Sequence, residues 1–240
     1  MGSEGLLGNA SGVKADAKEK IFFTLEGRFS SNLKAALSGS TKIEKVELRA
    51  RCLATIGKLL DNRSSNVTEK EICKIYDEIF ADTICSLYLA GCGLDKPAHA
   101  VLRRVLELGM AAIYLWDLPH VFWAWKNHDA DLNFNEMLEH FGSTGYRSFV
   151  SATAPTPLPD PLFDIPLARK EYRALSNTLH GKISTFETAL PSRFSHSDAD
   201  WNEHVARTER IEHLLINAAY VRFSWLEAEL KKTEPELRPL

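Results

Sequence analysis

The stretch Glu171-Tyr172-Arg173-Ala174-Leu175-Ser176-Asn177-Thr178-Leu179-His180-Gly181 gathers an arginine, two hydrogen-bonding side chains and a histidine on one helix-like segment. Seven helical residues bring Arg173 and His180 to within roughly 20° of each other around the axis, about 10 Å apart along it. Ser176 and Asn177 fall between them on the same stripe. Ala174, Leu175, Thr178 and Leu179 cover much of the remaining circumference and can pack inward. Such a row suits metal-free cleavage of RNA. An imidazole can take the 2′-hydroxyl proton, or protonate the leaving 5′-oxygen, near neutral pH. A guanidinium can stabilise the added charge of a phosphorane-like transition state. One helix supplies one copy of each group, so a symmetric homodimer with two facing stripes would complete the acid–base pair.

Each of these residues also has a plainer role. His180 can be a satisfied core histidine ahead of the Gly181 turn, and Arg173 an ordinary surface arginine. Arg103 and Glu107 stand four apart and can form a helix ion pair, although Val101, Leu102, Val105, Leu106 and Leu108 around them suggest partial burial. A second arginine–histidine spacing, Arg207 to His213, is flanked by Glu209, Arg210 and Glu212 and reads as a solvated helix face. The aromatic group Tyr114, Trp116, Phe122, Trp123 and Trp125 reads as core or subunit interface before it reads as a ligand pocket.

Metal and cofactor chemistry find no support. Asp129, Asp131 and Asn133 imitate the opening of a calcium loop, but Phe134 replaces the required glycine and His140 the closing glutamate. No histidine has a glutamate three residues before it, and H-E-x-x-H, G-x-S-x-G and Walker-type loops are absent. The expectation is no metal and no cofactor.

The elements that must position the stripe read as helices throughout. Lys14 to Leu37 and Ile43 to Leu60 carry apolar residues at three- and four-residue spacings. After a polar loop at Asn62 to Asn66, Thr68 and Glu71 match a capping box that opens a helix to about Leu89. Gly91-Cys92-Gly93 ends it. Asp95 and Pro97 then introduce a helix over Ala98 to Trp116, stopping or kinking near Pro119. A shorter helix is expected around Asn133 to Phe141. Five prolines between Ala154 and Pro166 impose a looped segment before helix resumes at Leu167. A last long helix is expected from Ser197, with Asp200 as its capping partner, to about Lys232. No alternating strand pattern, repeat or linker is visible. Residues 1–13, rich in Gly and Ser, are expected to be disordered, and residues 14–240 to form one all-α domain.

Composition narrows the class further. The 240 residues are 45% hydrophobic and 25% charged, ordinary for a globular chain. With 29 Lys and Arg against 32 Asp and Glu, the net charge of −3 argues against a protein that coats nucleic acid, while leaving room for a site handling one phosphate. Cys52, Cys73, Cys85 and Cys92 form no C-x-x-C pair and read as buried free thiols in a reducing compartment. The N-terminus lacks a secretory pattern. The most apolar window, Val105 to Trp125, contains Glu107, Asp117, Pro119 and His120, so no membrane span is expected and the chain reads as cytoplasmic.

Arginine followed several residues later by histidine on a helix resembles the signature of the HEPN superfamily. The fuller likeness lies in a Y-x-x-L-S-x-x-x-H-G segment, here Tyr172, Leu175, Ser176, His180 and Gly181, and in an earlier R-x-x-L-E helix, here Arg103, Leu106 and Glu107. The likeness covers roughly residues 75 to 185 and leaves the first 60 unaccounted for. It implies an up-and-down helical bundle with extra N-terminal helices, acting as a metal-independent endoribonuclease through a composite homodimer site. The setting it implies is a toxin or antiphage system, with a possible protein partner. Arg173 and His180 would be catalytic, Ser176 and Asn177 would orient the scissile phosphate, and Tyr172, Arg103 and Glu107 would support them. Active members often carry Asn, Asp or His directly after the arginine, where this chain has Ala174. The alternative is therefore a non-catalytic HEPN-like binding or regulatory subunit of a defence complex.

Overall fold

Side-chain caps set where several of the helices begin. The computed structural model describes residues 9–38, 41–154, 157–179 and 194–234. These form ten helices and no strand: α1 (Asn9–Leu37), α2 (Thr41–Asp61), α3 (Val67–Gly91), α4 (Asp95–Asp117), α5 (Pro119–Lys126), α6 (Phe134–Gly142), α7 (Thr144–Thr153), α8 (Ile165–Leu179), α9 (Asp198–Arg222) and α10 (Leu226–Thr233). The fold is all-α, as the periodicity predicts.

The cap of α3 is not the predicted one. Asn66 Oδ1 accepts the Glu69 backbone N–H at 3.0 Å, and Glu69 Oε2 accepts the Ser65 N–H at 2.6 Å. The box therefore sits two residues earlier than Thr68/Glu71, because an asparagine already occupies the N-cap position. Thr68 and Glu71 instead tie α3 to α5, through Trp123 Nε1 at 3.1 Å and Lys126 Nζ at 2.7 Å. Ser197 does cap α9, accepting the Asp200 N–H at 3.3 Å. Gly93, at φ 80°, closes α3 in the left-handed conformation that favours glycine.

Other boundaries differ from expectation. Helix α1 starts at Asn9, inside the stretch expected to be disordered, since a helix once nucleated propagates through residues of modest propensity. Helix α7, capped by Ser143, was not anticipated; Tyr146 and Val150 form its buried face. The predicted last helix is two: α9 stops at Arg222, and α10 begins after Phe223-Ser224-Trp225, where buried Phe223 and Leu226 turn the chain back onto the core.

Helix α4 is the centre of the arrangement, packing on α3, α8, α9, α5 and α6. One apolar cluster runs from Cys52 to Leu230 and includes Leu53, Ile79, Leu102, Met110, Ile113 and Leu215. A smaller one joins Val46, Leu87, Ala98, Trp201 and Val205. The approach of α9 to α4 depends on Gly109, where a Cβ would fall 2.5 Å from Leu215 Cδ2. No described helix is long and apolar enough to cross a membrane.

Candidate functional site

Helices α4 and α8 pack antiparallel: His99, near the start of α4, meets Thr178 at the end of α8, and Arg103, one turn on, meets Tyr172. His99, Arg103 and Glu107 are spaced by four and so form one stripe along α4. Arg103 donates from Nε and Nη2 to Glu107 Oε1 at 3.0 and 2.9 Å. Its Nη2 also donates to the Tyr172 hydroxyl at 2.6 Å, and its guanidinium carbon stands 4.5 Å from the centre of the tyrosine ring. Phe134, from α6, stacks on Tyr172 with centroids 4.2 Å apart and planes 10° apart. The Tyr172 oxygen accepts from Arg103, so its own proton is left to donate. The three supporting residues thus form one hydrogen-bonded cluster linking α4 to α8.

The rest of the stripe is placed differently from residue to residue. Arg173 is exposed and Asn177 half-buried. Ser176 is buried and its hydroxyl donates to the Tyr172 carbonyl at 2.7 Å, so it faces its own helix backbone. His180 and Gly181 lie outside the described residues.

Glu171 joins α8 to α9. Only 2% exposed, its carboxylate takes Arg207 Nε at 2.9 Å and Arg210 Nε at 2.7 Å, and both arginines also reach Glu203. This corrects the reading of the Arg207–His213 face as solvated. Glu212 on that face is fully buried, and Arg207 is held against α8, because this face of α9 packs on neighbouring helices.

A polar cluster that sequence reasoning missed continues the α4–α8 seam. His99 Nδ1 lies 3.2 Å from Thr178 Oγ1, and the His99 ring stacks on that of His204, centroids 5.6 Å apart. His204 Nε2 lies 2.9 Å from Ser86 Oγ, which in turn donates to the Ala98 carbonyl at 2.9 Å. Since the single Ser86 proton goes to that carbonyl, His204 Nε2 carries the hydrogen and its buried Nδ1 is a bare acceptor with no partner among the described residues. Burial, with His99 and Arg207 adding to it, holds His204 down to about 3. Burial and Arg207 hold His99 down to about 4 against the opposing pull of Asp200 and Glu203. Both rings are neutral at pH 7. They line a cleft of about 310 Å³ whose rim carries Asp95, Asp200 and Glu203. The only hint in the sequence was a histidine four residues before Thr208 on the buried stripe of α9.

Among the described residues no group of three His, Cys, Asp or Glu could hold a metal ion. The aromatic run divides: Phe122 is buried, Trp116 packs edge-on against Phe223 at 5.2 Å, Trp125 is half-buried and Trp123 is 40% exposed. Of the four cysteines Cys52, Cys73 and Cys92 are buried free thiols, with Cys52 and Cys73 pushed up to about 12, first by burial. Cys85, also free, is exposed, because it points away from the packed face of α3. No protein-family model, curated protein or solved structure matches the chain.

Proposed function

We propose that the chain is a HEPN-like, metal-independent endoribonuclease whose site is completed across two copies, in a toxin or phage-defence setting. The observation that carries this reading is the Arg103–Glu107–Tyr172 cluster, which joins two segments far apart in sequence directly beside the exposed Arg173. A half-buried brace fixing the rotation of α8 is what a single exposed arginine needs to meet a phosphate in a defined geometry. In the proposed reaction the RNA 2′-oxygen attacks phosphorus and the bond to the 5′-oxygen breaks. This leaves a 2′,3′-cyclic phosphate and a free 5′-hydroxyl. His180 of one copy takes the 2′-hydroxyl proton, and His180 of the other gives one to the leaving oxygen. Arg173 stabilises the added negative charge, and Asn177 orients the phosphate. Ser176, turned to the Tyr172 carbonyl, acts by setting the shape of the helix.

A second reading is a non-catalytic binding or regulatory subunit. It is favoured by the inward Ser176 hydroxyl and by Ala174, which leave two fewer polar groups for a substrate. The two readings separate on incubating the purified protein with total RNA in EDTA, beside His180→Ala and Arg173→Ala, with mass measured by light scattering. The nuclease reading expects cleavage by a dimer that both substitutions abolish while the thermal melt is unchanged. RNA left intact by the dimer, or cut equally well by His180→Ala, sinks it.

A further inference from the structure

The Arg103–Glu107–Tyr172 cluster has a cleft of about 270 Å³ on its far side, between α4, α5 and α6. Its walls are apolar and aromatic: Leu108, Trp125, Met137, and Phe134, which stacks on Tyr172 with one face. An aromatic-walled cleft of this size is below the range for a drug-sized ligand and suits one planar base.

The hydrogen-bonding character of the cleft is one-sided. Glu107 and Asp131 line it with carboxylates, and Glu107 Oε2 has no partner among the described residues, since Arg103 binds Oε1. The third polar side chain, Arg104, is engaged by Glu78 at 3.0 Å and by Asp82. Any ligand must therefore bring donors to meet acceptors. Among the four RNA bases only guanine presents two adjacent N–H donors on its pairing edge. Cytosine and adenine offer one amino group beside a lone pair that would face a carboxylate, and uracil one N–H between two carbonyls. A simple organic cation would satisfy the same carboxylates. The choice of a base over such a cation rests on the nuclease reading.

We infer that this cleft is a guanine subsite for single-stranded RNA, with Glu107 as the specificity-determining residue and Trp125 as the stacking wall. The inference rests on the nuclease reading for its choice of an RNA ligand and extends it to sequence preference. Glu107 then serves twice: one oxygen holds Arg103, and through it Tyr172, while the other reads the base. Filling the cleft tightens the same cluster that positions α8, so guanine recognition and the setting of Arg173 are coupled.

The test is equilibrium binding, read by tryptophan fluorescence and calorimetry, of guanosine 5′-monophosphate against the adenosine, cytidine and uridine monophosphates. Full-length protein is used throughout. Guanosine monophosphate is expected to bind at least about tenfold more tightly than the other three. Glu107→Gln should remove that preference, and Trp125→Leu should weaken the binding of all four. Asp131→Asn, on an exposed loop, should weaken it without touching the Arg103 cluster, which keeps the test informative if Glu107→Gln unfolds. Equal binding of all four nucleotides, no binding of any, or a preference that survives both Glu107→Gln and Asp131→Asn overturns the inference. Because no cleavage is involved, guanosine binding without RNA cutting would remove the nuclease reading and keep the subsite. Cutting without guanosine preference would do the reverse.

Discussion

Glu171 on α8 and Glu212 on α9 are both buried, at 2% and 0% exposure, and they are solved in opposite ways. Glu171 has an arginine on each oxygen, both from α9. Among the described residues Glu212 has no partner on either oxygen; burial pushes it well above the ordinary carboxylate range, with Arg49 pulling it down and Glu209 pushing it further up. Arg49 is nearby but bonds Glu209 at 2.9 Å, and its own Nε is left without a partner. The difference shows where the molecule invests in fixed geometry. On the α8 side charges are paired in a lattice that locks one helix to another. On the α2 side a carboxyl is left unpaired and pushed towards its neutral form.

Four measurements would break or sharpen that contrast. The largest effect is expected for Glu171→Ala, which leaves Arg207 and Arg210 facing α8 without their shared partner. Denaturant unfolding should show a loss of about 3 kcal/mol. Acid should come next. His99 and His204 have folded-state values below the ordinary 6.5, so the unfolded chain takes up protons first as pH falls. Their contribution is complete well above pH 6.5 and declines as pH falls towards about 4 for His99 and about 3 for His204, with a loss on the order of 2 kcal/mol for the pair by about pH 6. A melting temperature that does not fall over that window would contradict their burial as neutral rings. Glu212→Met should act in the other direction. It removes two orphaned acceptors and should raise stability at pH 7 by about 1 to 3 kcal/mol, the gain shrinking towards acid, where the wild-type carboxyl is protonated in both states. The smallest of the four is Tyr172→Phe. It removes one hydrogen bond to Arg103 while keeping the ring on Phe134, and should cost about 1 kcal/mol in the same unfolding assay.

Much of this was legible in the sequence, and the remainder was hidden for identifiable reasons. Helical periodicity and caps such as Ser197 are local signals, and they placed most elements. The Arg103–Glu107 pair was visible as an i, i+4 spacing, and Tyr172 entered with the motif that resembles the HEPN pattern. The Thr68/Glu71 assignment failed because two overlapping cap patterns compete at one helix start, and only the backbone decides between them. The break after α9 contains no Pro or Gly, so no residue type announces it. Glu212 and Arg207 were read as solvated because a run of charges on a helix looks the same whether it faces water or another helix. The His99–His204 stack joins α4 to α9, and no single-helix pattern encodes a contact of that range.

The order in which the chain packs has a kinetic consequence for the α4–α8 brace. Helices α2, α3 and α4 are consecutive and joined by short loops, and α3 packs extensively on both α2 and α4. Closing them costs little loop entropy, whereas α8 reaches α4 only after the intervening short helices and the proline-rich segment are in place. The Arg103–Tyr172 bond is thus expected to form late, after the folding barrier. Removing it should leave the refolding rate nearly unchanged and accelerate unfolding, so the brace acts on how long α8 stays docked and not on how fast it arrives.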